Sequence, residues 1–302
     1  MMAAARCFSD TSDFLSIRSG DHILLDGRRF LVTGEERERR FGIEDPKFWV
    51  KRVVEEETGD RKIAKLSFFE SFNTRLGELV IRCYRSPEKE ERILDLCRNH
   101  PGFMQGVTFP DAKGNRVRVL EIVRGKNFML YLDSLRMPHV QYFETELPGI
   151  LRHLCEAFAA IGLLHAHGFR HGDIRNDHII VERRSGRYVW IDFDYDFEAP
   201  ENPFGLDLFG IGNILIYAVG KVFHNSYMIK NDTYTYHDLI ERLEPDDFSI
   251  LHPNRLVNLR KLYPYVPVML NNILMHFSAG TSITYASVDE IIEDLGGYLA
   301  SL

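Results

Sequence analysis

The chain has 302 residues, of which 45% are hydrophobic and 27% are charged, and its formal net charge is −7. This size and composition are ordinary for a globular protein with a sizeable core, in one large domain or in two lobes. The negative net charge argues against a nucleic-acid binder that depends on a broad basic surface, so we expect no nucleic-acid partner.

The N-terminal part reads mainly as strands and turns. HILLD and RRFLVT are followed by Gly27 and Gly34, and TGD after KFWVKRVVEEE is a hairpin signal before RKIAKLSFF. RLGELVIRCYR is a plausible further strand, while the charged stretch EERERR at 35–40 is predicted to be a solvated loop.

A helix is then indicated by SPEKEERILDLCRNHPG. Ser86 is a good N-cap, Pro87 suits the first turn, and three glutamates follow near the positive end of the helix dipole. Pro101 and Gly102 are expected to end this helix. NRVRVLEIV alternates like a strand and is broken by Gly125.

The character of the chain changes after Gly125. ELPGILRHLCEAFAAIGLLHAHG has helical spacing and ends at Gly168, and two short strands follow, HIIVE and YVWIDF, joined by RRSGR. From Gly205 onward the sequence reads as almost wholly helical. The predicted fold class is α+β, with an N-terminal extension at 1–27, a β-rich lobe at 28–120, a hinge at 121–125 and a helical lobe at 126–302.

Location is predicted from three sequence features. The four cysteines form no CxxC pair, which favours a reducing compartment. The N-terminus lacks a basic start followed by a long apolar core, so no secretion signal is indicated. The most apolar stretches, LCEAFAAIGLL and FGIGNILIYAVG, are too short to span a bilayer. We expect a cytoplasmic protein without membrane insertion.

Carboxylates gather around the hairpin of HIIVE and YVWIDF. Asp173 precedes its first strand and Asp192 ends its second, so the hairpin brings them side by side. If the second strand continues, Asp192 and Asp194 point to one face. Such converging oxygen ligands suit a hard divalent cation together with a phosphate chain.

These residues resemble motifs of the protein-kinase-like superfamily. HGD, ending at Asp173, is similar to its catalytic loop, and DFD, beginning at Asp192, is similar to its metal-binding DFG triplet. KIAK and KEERIL resemble the strand lysine and the helix with its ion-pair partner, giving Lys65 and Glu90. VLEIVRG resembles the hinge, and DLFGIG, with Asp207, the start of the helix that anchors the catalytic loop.

The resemblance implies a bilobal protein-kinase-like fold and an ATP-dependent phosphotransferase, in which catalysis is positioning and charge neutralisation. Asp173 would accept or orient the proton of the acceptor hydroxyl, a protein Ser/Thr or a small molecule. Arg175 would neutralise the moving γ-phosphate. Lys65, steadied by Glu90, would hold the α- and β-phosphates of ATP.

The remaining implied roles concern the metal ion, adenine and the loop itself. Asp192 would hold the metal, Mg²⁺ or Mn²⁺. Backbone groups of Glu121 to Val123 would bind adenine. His171 would hold the loop by packing and hydrogen bonding, and Asp207 would anchor it.

Some of these assignments have alternatives. Arg82 takes the place of Lys65 if ELVIRCYR is the equivalent strand, and Glu88 or Glu91 serves as the ion-pair partner instead of Glu90. Asp207 also suits a simple helix cap after Gly205.

Three features depart from the family pattern. The position five residues after Asp173, where the family has an asparagine ligand, is His178, and imidazole prefers softer metals than Mg²⁺. Asn176, Asp177 or Asp194 are possible substitutes as the ligand, and Asp194 itself replaces the glycine of the DFG triplet.

The other two departures concern phosphate and acceptor binding. No glycine-rich phosphate loop is visible, and Arg37, Arg39 and Arg40 are candidate phosphate ligands in its place. Only fifteen residues separate Asp192 from Asp207, so neither activation-loop phosphorylation nor a peptide platform is expected.

Two further readings compete with an active kinase. His178 and the missing glycine loop fit a pseudokinase, a nucleotide-binding or scaffolding module without turnover. A superficial resemblance to a zinc-hydrolase cluster is formed by His165, His167, His171, Asp173 and His178. Helix-end placement of the first two argues against that hydrolase.

Overall fold

The computed structural model describes residues 6–40, 43–76, 79–198 and 202–302. They form two compact units by their internal contacts. The first unit holds the described residues up to Ser71 together with Tyr84–Arg124, and the second holds Phe72–Cys83 together with Gly125–Leu302. The division at Arg124 falls inside the segment that the sequence analysis named as a hinge.

Among the described residues, strands predominate in the first part of the chain and helices in the later part. The strands are β1 Cys7–Phe8, β2 His22–Leu25, β3 Arg28–Arg40, β4 Ile43–Glu55, β5 Arg61–Lys65, β6 Ser71–Leu76, β7 Leu79–Arg85, β8 Gly106–Pro110, β9 Arg116–Glu121, β10 Gly125–Asn127, β11 Ile179–Glu182, β12 Tyr188–Trp190 and β13 Tyr195–Glu198. The α-helices are α1 Pro87–Leu96, α2 Phe128–Ser134, α3 His139–Thr145, α4 Leu147–Ala166, α5 Gly205–Gly220, α6 Ser226–Asn231, α7 Thr233–Tyr236, α8 Leu239–Arg242, α9 Val268–Met275 and α10 Val288–Ala300. The α+β class is therefore confirmed.

A seven-stranded sheet with the order β1-β2-β3-β4-β5-β9-β8 forms the body of the first unit. Its pairs are antiparallel, apart from the short parallel pair β1–β2. The turn between β2 and β3 uses Asp26 and Gly27, both with positive φ (48° and 77°), which matches the twist of a tight hairpin. Residues 6–27 thus contribute to this sheet instead of standing apart.

Two expectations about local structure in the first unit are wrong. The stretch 35–40 is the end of strand β3, paired with β4, and not a loop. Helix α1 starts as predicted, because the Ser86 side chain accepts a hydrogen bond from the amide of Lys89. It ends at Leu96, however, and not at Pro101. After the helix the chain turns through Asn99, which has a left-handed conformation.

One face of the sheet carries the core of the first unit. In β2 buried positions alternate with half-buried ones, whereas Val117 to Leu120 of β9 are all buried, so both faces of the sheet are covered at that strand. The buried cluster consists of Ile17, Ile23, Leu25, Phe30, Val32, Val53, Ala64, Leu66, Phe109, Val117 and Val119.

The second unit is a helical body with two three-stranded sheets, β10-β11-β12 and β13-β7-β6. Helix α4 packs on α10, α3 and β12. By length and composition α4 is the one described helix that is apolar enough to cross a membrane, so the prediction that no stretch is long enough does not hold. The buried apolar residues of α4, between Leu147 and Leu164, recur at helical spacing, as they do in a core helix.

The C-terminal region is less helical than predicted. Helices α5, α9 and α10 lie where the sequence indicates them, and Ser287 caps α10 by accepting from the amide of Glu290. Between α8 and α9, however, the chain runs mainly through turns with two short 3-10 helices.

Candidate functional site

The hairpin β11–β12 of the second unit lies between Asp173 and Asp192 in the chain. Its strands pair antiparallel with Ile179 opposite Trp190, and His178, directly before β11, accepts at its carbonyl a hydrogen bond from the amide of Ile191. Asp173 lies six residues before β11 and Asp192 two residues after β12. The predicted hairpin is confirmed.

The strand does not continue to Asp192 and Asp194, because β12 ends at Trp190, but a carboxylate oxygen of each still lies within 4.8 Å of the other. Asp192 has φ 64°, a left-handed conformation that interrupts the alternation of a strand. Its side chain is 16% exposed, whereas Asp194 is fully buried. Left-handed non-glycine residues are uncommon and cluster at functional sites.

The imidazole of His178 lies between the carboxylates of Asp173 and Asp192. Its Nδ1 is 2.8 Å from the carbonyl oxygen of Asp173 and 3.5 Å from Oδ2 of the same residue. Its Nε2 is 3.5 Å from Oδ2 of Asp192. Since a carbonyl only accepts, Nδ1 carries a proton, and in the neutral imidazole Nε2 presents its lone pair towards Asp192.

The loop before β11 is held by Asp207 in the first turn of α5. Oδ2 of Asp207 accepts from the amide of His171 at 2.7 Å, and Oδ1 accepts from the amide of Gly172 at 2.9 Å. His165 Nε2 is 3.0 Å from Oδ2. Burial alone raises the pKa of Asp207, but the hydrogen bond from His165 and the loop amides bring it below its usual range. Asp207 therefore binds the loop and is not a helix cap.

His171 and Gly210 complete the support of this loop. The ring of His171 is fully buried beside Trp190, and its Nδ1 accepts from the amide of Asp173 at 3.3 Å. Gly210 of α5 lets the loop approach, since a Cβ there would lie 2.6 Å from the Cβ of Ile174. The loop backbone is thus fixed by side-chain and packing contacts.

Asp173 has the electrostatic character of a proton acceptor. Burial raises its pKa above the usual range, the charges of Asp192 and Asp177 add to this, and His178 and Arg175 oppose it. A raised pKa makes a carboxylate a better general base. Arg175 lies 3.7 Å from Oδ2 of Asp173 but donates from both Nε and NH2 to Asp177.

In the first unit, Lys65 and Glu90 form a buried ion pair. Nζ of Lys65 at the end of β5 is 2.8 Å from Oε1 of Glu90 in α1. Nε of Arg118 in β9 is 2.9 Å from Oε2 of the same carboxylate. All three side chains are at most 5% exposed. The carboxylate therefore has a cation on each oxygen.

The alternatives to this pair lie elsewhere. Arg82 is 59% exposed and faces Glu198 at 3.4 Å. Glu91 pairs with Arg116 at 2.6 Å, and Glu88 is 3.9 Å from the same arginine. Of the glutamates considered, Glu90 is the partner of Lys65.

The predicted adenine-binding segment begins at Glu121, the last residue of β9. The amide of Glu121 donates to the carbonyl of Gln105 at 2.8 Å, and its carboxylate is 2.8 Å from Nζ of Lys62. The amide of Glu121 is thus already engaged, while Val123 lies half-buried in the irregular segment before β10. Adenine binding by this segment stays a prediction.

The segment after Asp194 is bound in a sheet. Strand β13 pairs with β7 of the hairpin β6–β7, and Phe197 packs against Ile81 and Cys83. Arg170, directly before the loop histidine, donates to Oδ1 of Asp196 at 2.6 Å and to the carbonyl of Phe197 at 2.8 Å.

The histidines do not gather in the manner of a zinc hydrolase. His165 binds Asp207, and Nδ1 of His167 binds the carbonyl of Leu163 at 2.9 Å. The rings of His171 and His178 have centroids 6.2 Å apart and separate partners. Among the described residues, no group of three histidines forms a metal site.

Several residues with important contacts escaped the sequence analysis. Arg118, Arg170 and Asp196 were not singled out, and His165 was considered only as a zinc ligand. The alternation in RVRVLE shows that Arg118 and Arg116 share a face, but it does not say which of them is buried.

Carboxylate oxygens of Asp192 and Asp194 lie within 4.8 Å of each other, so these two residues of the second unit could hold one metal ion. His178 as a further ligand stays a prediction, and its imidazole would favour Mn²⁺ over Mg²⁺. Of the arginines predicted to bind phosphate, Arg37 is exposed. The side chains of Arg39 and Arg40 lie outside the described residues.

No family model matches the chain, and no curated protein matches it.

Proposed function

We propose that this chain is an ATP-dependent phosphotransferase with a bilobal protein-kinase-like fold. The observation that carries the proposal is the anchored loop: Asp207 binds the amides of His171 and Gly172, while Asp173 and Asp192 lie on either side of one imidazole. A fixed carboxylate with a raised pKa beside a second carboxylate is what proton transfer from a hydroxyl next to a metal ion requires.

The first unit supports the same function through Lys65. A buried lysine held by a glutamate keeps its charge and its position, as a group that grips the α- and β-phosphates of ATP must. In this proposal Glu121 and Val123 supply backbone groups to adenine. Arg175 is close enough to Asp173 to act on the transferred phosphoryl group.

The metal in this proposal is Mg²⁺ or Mn²⁺, with Asp192, Asp194 and His178 as its candidate ligands. A bound divalent ion neutralises phosphate charge and orients the transferred group. His178 holds the carbonyl of Asp173 through Nδ1, so its Nε2 is the nitrogen available for a metal.

The acceptor is a hydroxyl group, on a protein Ser/Thr or on a small molecule. The short segment between Asp192 and Asp207, part of which is committed to β13, favours a small acceptor. Its pairing with β7 and the Arg170–Asp196 ion pair order it without phosphorylation. We expect the protein to act in the cytoplasm, without a nucleic-acid partner or membrane insertion.

A pseudokinase is the second candidate, and the observation that favours it is His178. Its imidazole lies within 3.5 Å of both carboxylates, at the position where the family has an asparagine ligand. With the imidazole in this place, no second metal ion would be bound there. The protein would then bind nucleotide or a partner without turnover.

Metal-dependent ATP turnover decides between the two functions. The purified chain is incubated with ATP, Mg²⁺ or Mn²⁺ and a small-molecule extract as acceptor source, and ADP is measured. Turnover should be lost in Asp173→Asn and kept in Asp238→Asn, a control at an exposed aspartate that faces Arg242. Nucleotide binding without turnover in the unmodified chain would refute the enzyme and favour the pseudokinase.

A further inference from the structure

Lys65 and Arg118 are two cations placed directly opposite each other on neighbouring strands. The register of β5 and β9 pairs these two residues, and both side chains are buried. Like charges at directly opposite positions destabilise a sheet. Their proximity therefore needs an anion, which is Glu90 of α1.

The Glu90 carboxylate is fixed from two directions. Lys65 occupies Oε1 at 2.8 Å and Arg118 occupies Oε2 at 2.9 Å. Arg118 is itself held, because its NH1 donates to the carbonyl of Arg116 at 2.7 Å. With both oxygens bound, the carboxylate cannot rotate without breaking one of the two contacts.

Arg118 is a poor choice for stability alone. Burying a guanidinium beside a lysine carries a desolvation penalty and a repulsion, and an apolar side chain of similar volume avoids both. Its NH2 group is buried and has no hydrogen-bond partner among the described residues. Such an unsatisfied donor is a further cost. The arrangement is better explained by what it positions.

We propose that Arg118 is a positioning residue for Lys65. By holding the second oxygen of Glu90, it keeps α1 docked on the sheet and fixes the Lys65 ammonium in one place. This inference rests on the proposed function, in which Lys65 binds phosphate, and concerns the regulation of the same group. The Lys65–Glu90 pair is then permanently formed and is not a switch.

The permanence follows from the charges. If α1 moved away with Glu90, Lys65 and Arg118 would both lose the carboxylate that binds them while still facing each other across β5 and β9. With Lys65 as the only cation, a single contact would be lost. Arg118 therefore raises the energy of the undocked state more than it improves the docked state.

The chain offers a matched control on the same strand and the same helix. Arg116, two residues before Arg118 in β9, pairs with Glu91 of α1 at 2.6 Å, but its side chain is 44% exposed. Exposed ion pairs contribute little because water screens them. Arg116→Met thus removes an arginine between the same two elements without touching Glu90.

The test compares Arg118→Met, Arg118→Lys and Arg116→Met by hydrogen exchange of 87–96 and by steady-state ATP turnover. In Arg118→Met we expect faster amide exchange confined to α1 and a fall in kcat/KM of about 10- to 100-fold, because a misplaced phosphate ligand loses transition-state contacts. Arg118→Lys should recover part of both, and Arg116→Met should change neither. Arg118→Gln serves for the same comparison if Arg118→Met does not fold.

The outcomes separate this inference from the proposed function. Equal exchange of α1 in Arg118→Met and Arg116→Met overturns the role of Arg118, whatever the turnover. Exchange that rises across the whole first unit also overturns it, because it indicates a structural role only. If the unmodified chain turns over no ATP, the proposed function fails, and selective exchange of α1 still decides whether Arg118 holds the helix.

Discussion

Glu90→Gln should destabilise the first unit far more than removal of either cation that binds it. In the unmodified chain, the two buried cations Lys65 and Arg118 both bind the buried Glu90 carboxylate. Glu90→Gln removes the carboxylate that both cations bind. Lys65→Met and Arg118→Met each leave one neutral pair, so charge balance predicts the order of the three effects.

The magnitude follows from burial. Removing one partner of a buried ion pair costs about 3–5 kcal/mol, because the remaining charge is uncompensated in a low-dielectric site. Glu90→Gln is expected in this range, since both cations that remain are at most 5% exposed. The neighbouring Glu91→Gln is the control, and loss of its half-exposed pair with Arg116 should cost less than about 1 kcal/mol.

The assay needs a signal from the first unit, and the two tryptophans provide it. Trp49 belongs to the first unit, where it stacks on Phe68 with ring centroids 4.1 Å apart, and Trp190 belongs to the second. Labelling with 5-fluorotryptophan gives two fluorine resonances, assigned with Trp49→Phe. Urea titration then follows each unit in the same sample.

The reasoning is refuted if Glu90→Gln costs no more than Lys65→Met or Glu91→Gln at the Trp49 signal.

Four further changes test other parts of the chain. Burial lowers the pKa of His224 to about 4, so protonation of the unfolded state should remove about 3 kcal/mol of stability from pH 6.5 to 4, and urea unfolding should show less pH dependence in His224→Gln. Asp207→Asn places a donor against loop amides, and should lower the unfolding free energy by about 1–3 kcal/mol and abolish ATP turnover. Gly125→Ala puts a Cβ 2.1 Å from the carbonyl of Val181, and should cost about 1–3 kcal/mol in urea. His178→Asn should raise the ratio of Mg²⁺- to Mn²⁺-dependent turnover, and a sharp loss with both metals would contradict a ligand role.

Local signals in the sequence were sufficient wherever a feature depends on neighbours in the chain. Ser86 caps α1, the TGD turn joins β4 and β5, and Gly168 with φ 75° ends the turn after α4. Each of these is decided by backbone geometry within a few residues, which residue type reports directly.

Features that depend on distant parts of the chain were not predictable in the same way. The hairpin at 72–83 interrupts the first unit in sequence but groups with the second, where β7 pairs with β13. No local pattern encodes that pairing. Asp192 was expected in a continuing strand. Its left-handed backbone conformation, which interrupts the strand alternation before Asp194, has no signal in the sequence.

The candidate site shows the same division. The motif residues Asp173, Asp192 and Asp207 could be chosen from sequence because the resemblance fixes their order. Arg118 could not be chosen in this way. Its role depends on its burial and on its position opposite Lys65 in the paired strands β5 and β9, which β6, β7, α1 and β8 separate along the chain.

In both units, one acid that accepts from several donors fixes the position of the groups around it. Glu90 binds two cations in the first unit, and Asp207 binds two amides and an imidazole in the second. Neither acid can move without breaking several buried contacts at once, which is why each acid determines a position instead of only adding stability. Variants of Glu90 and Asp207 should therefore impair phosphoryl transfer as strongly as variants of Lys65 and Asp173, although neither acid needs to touch the substrate.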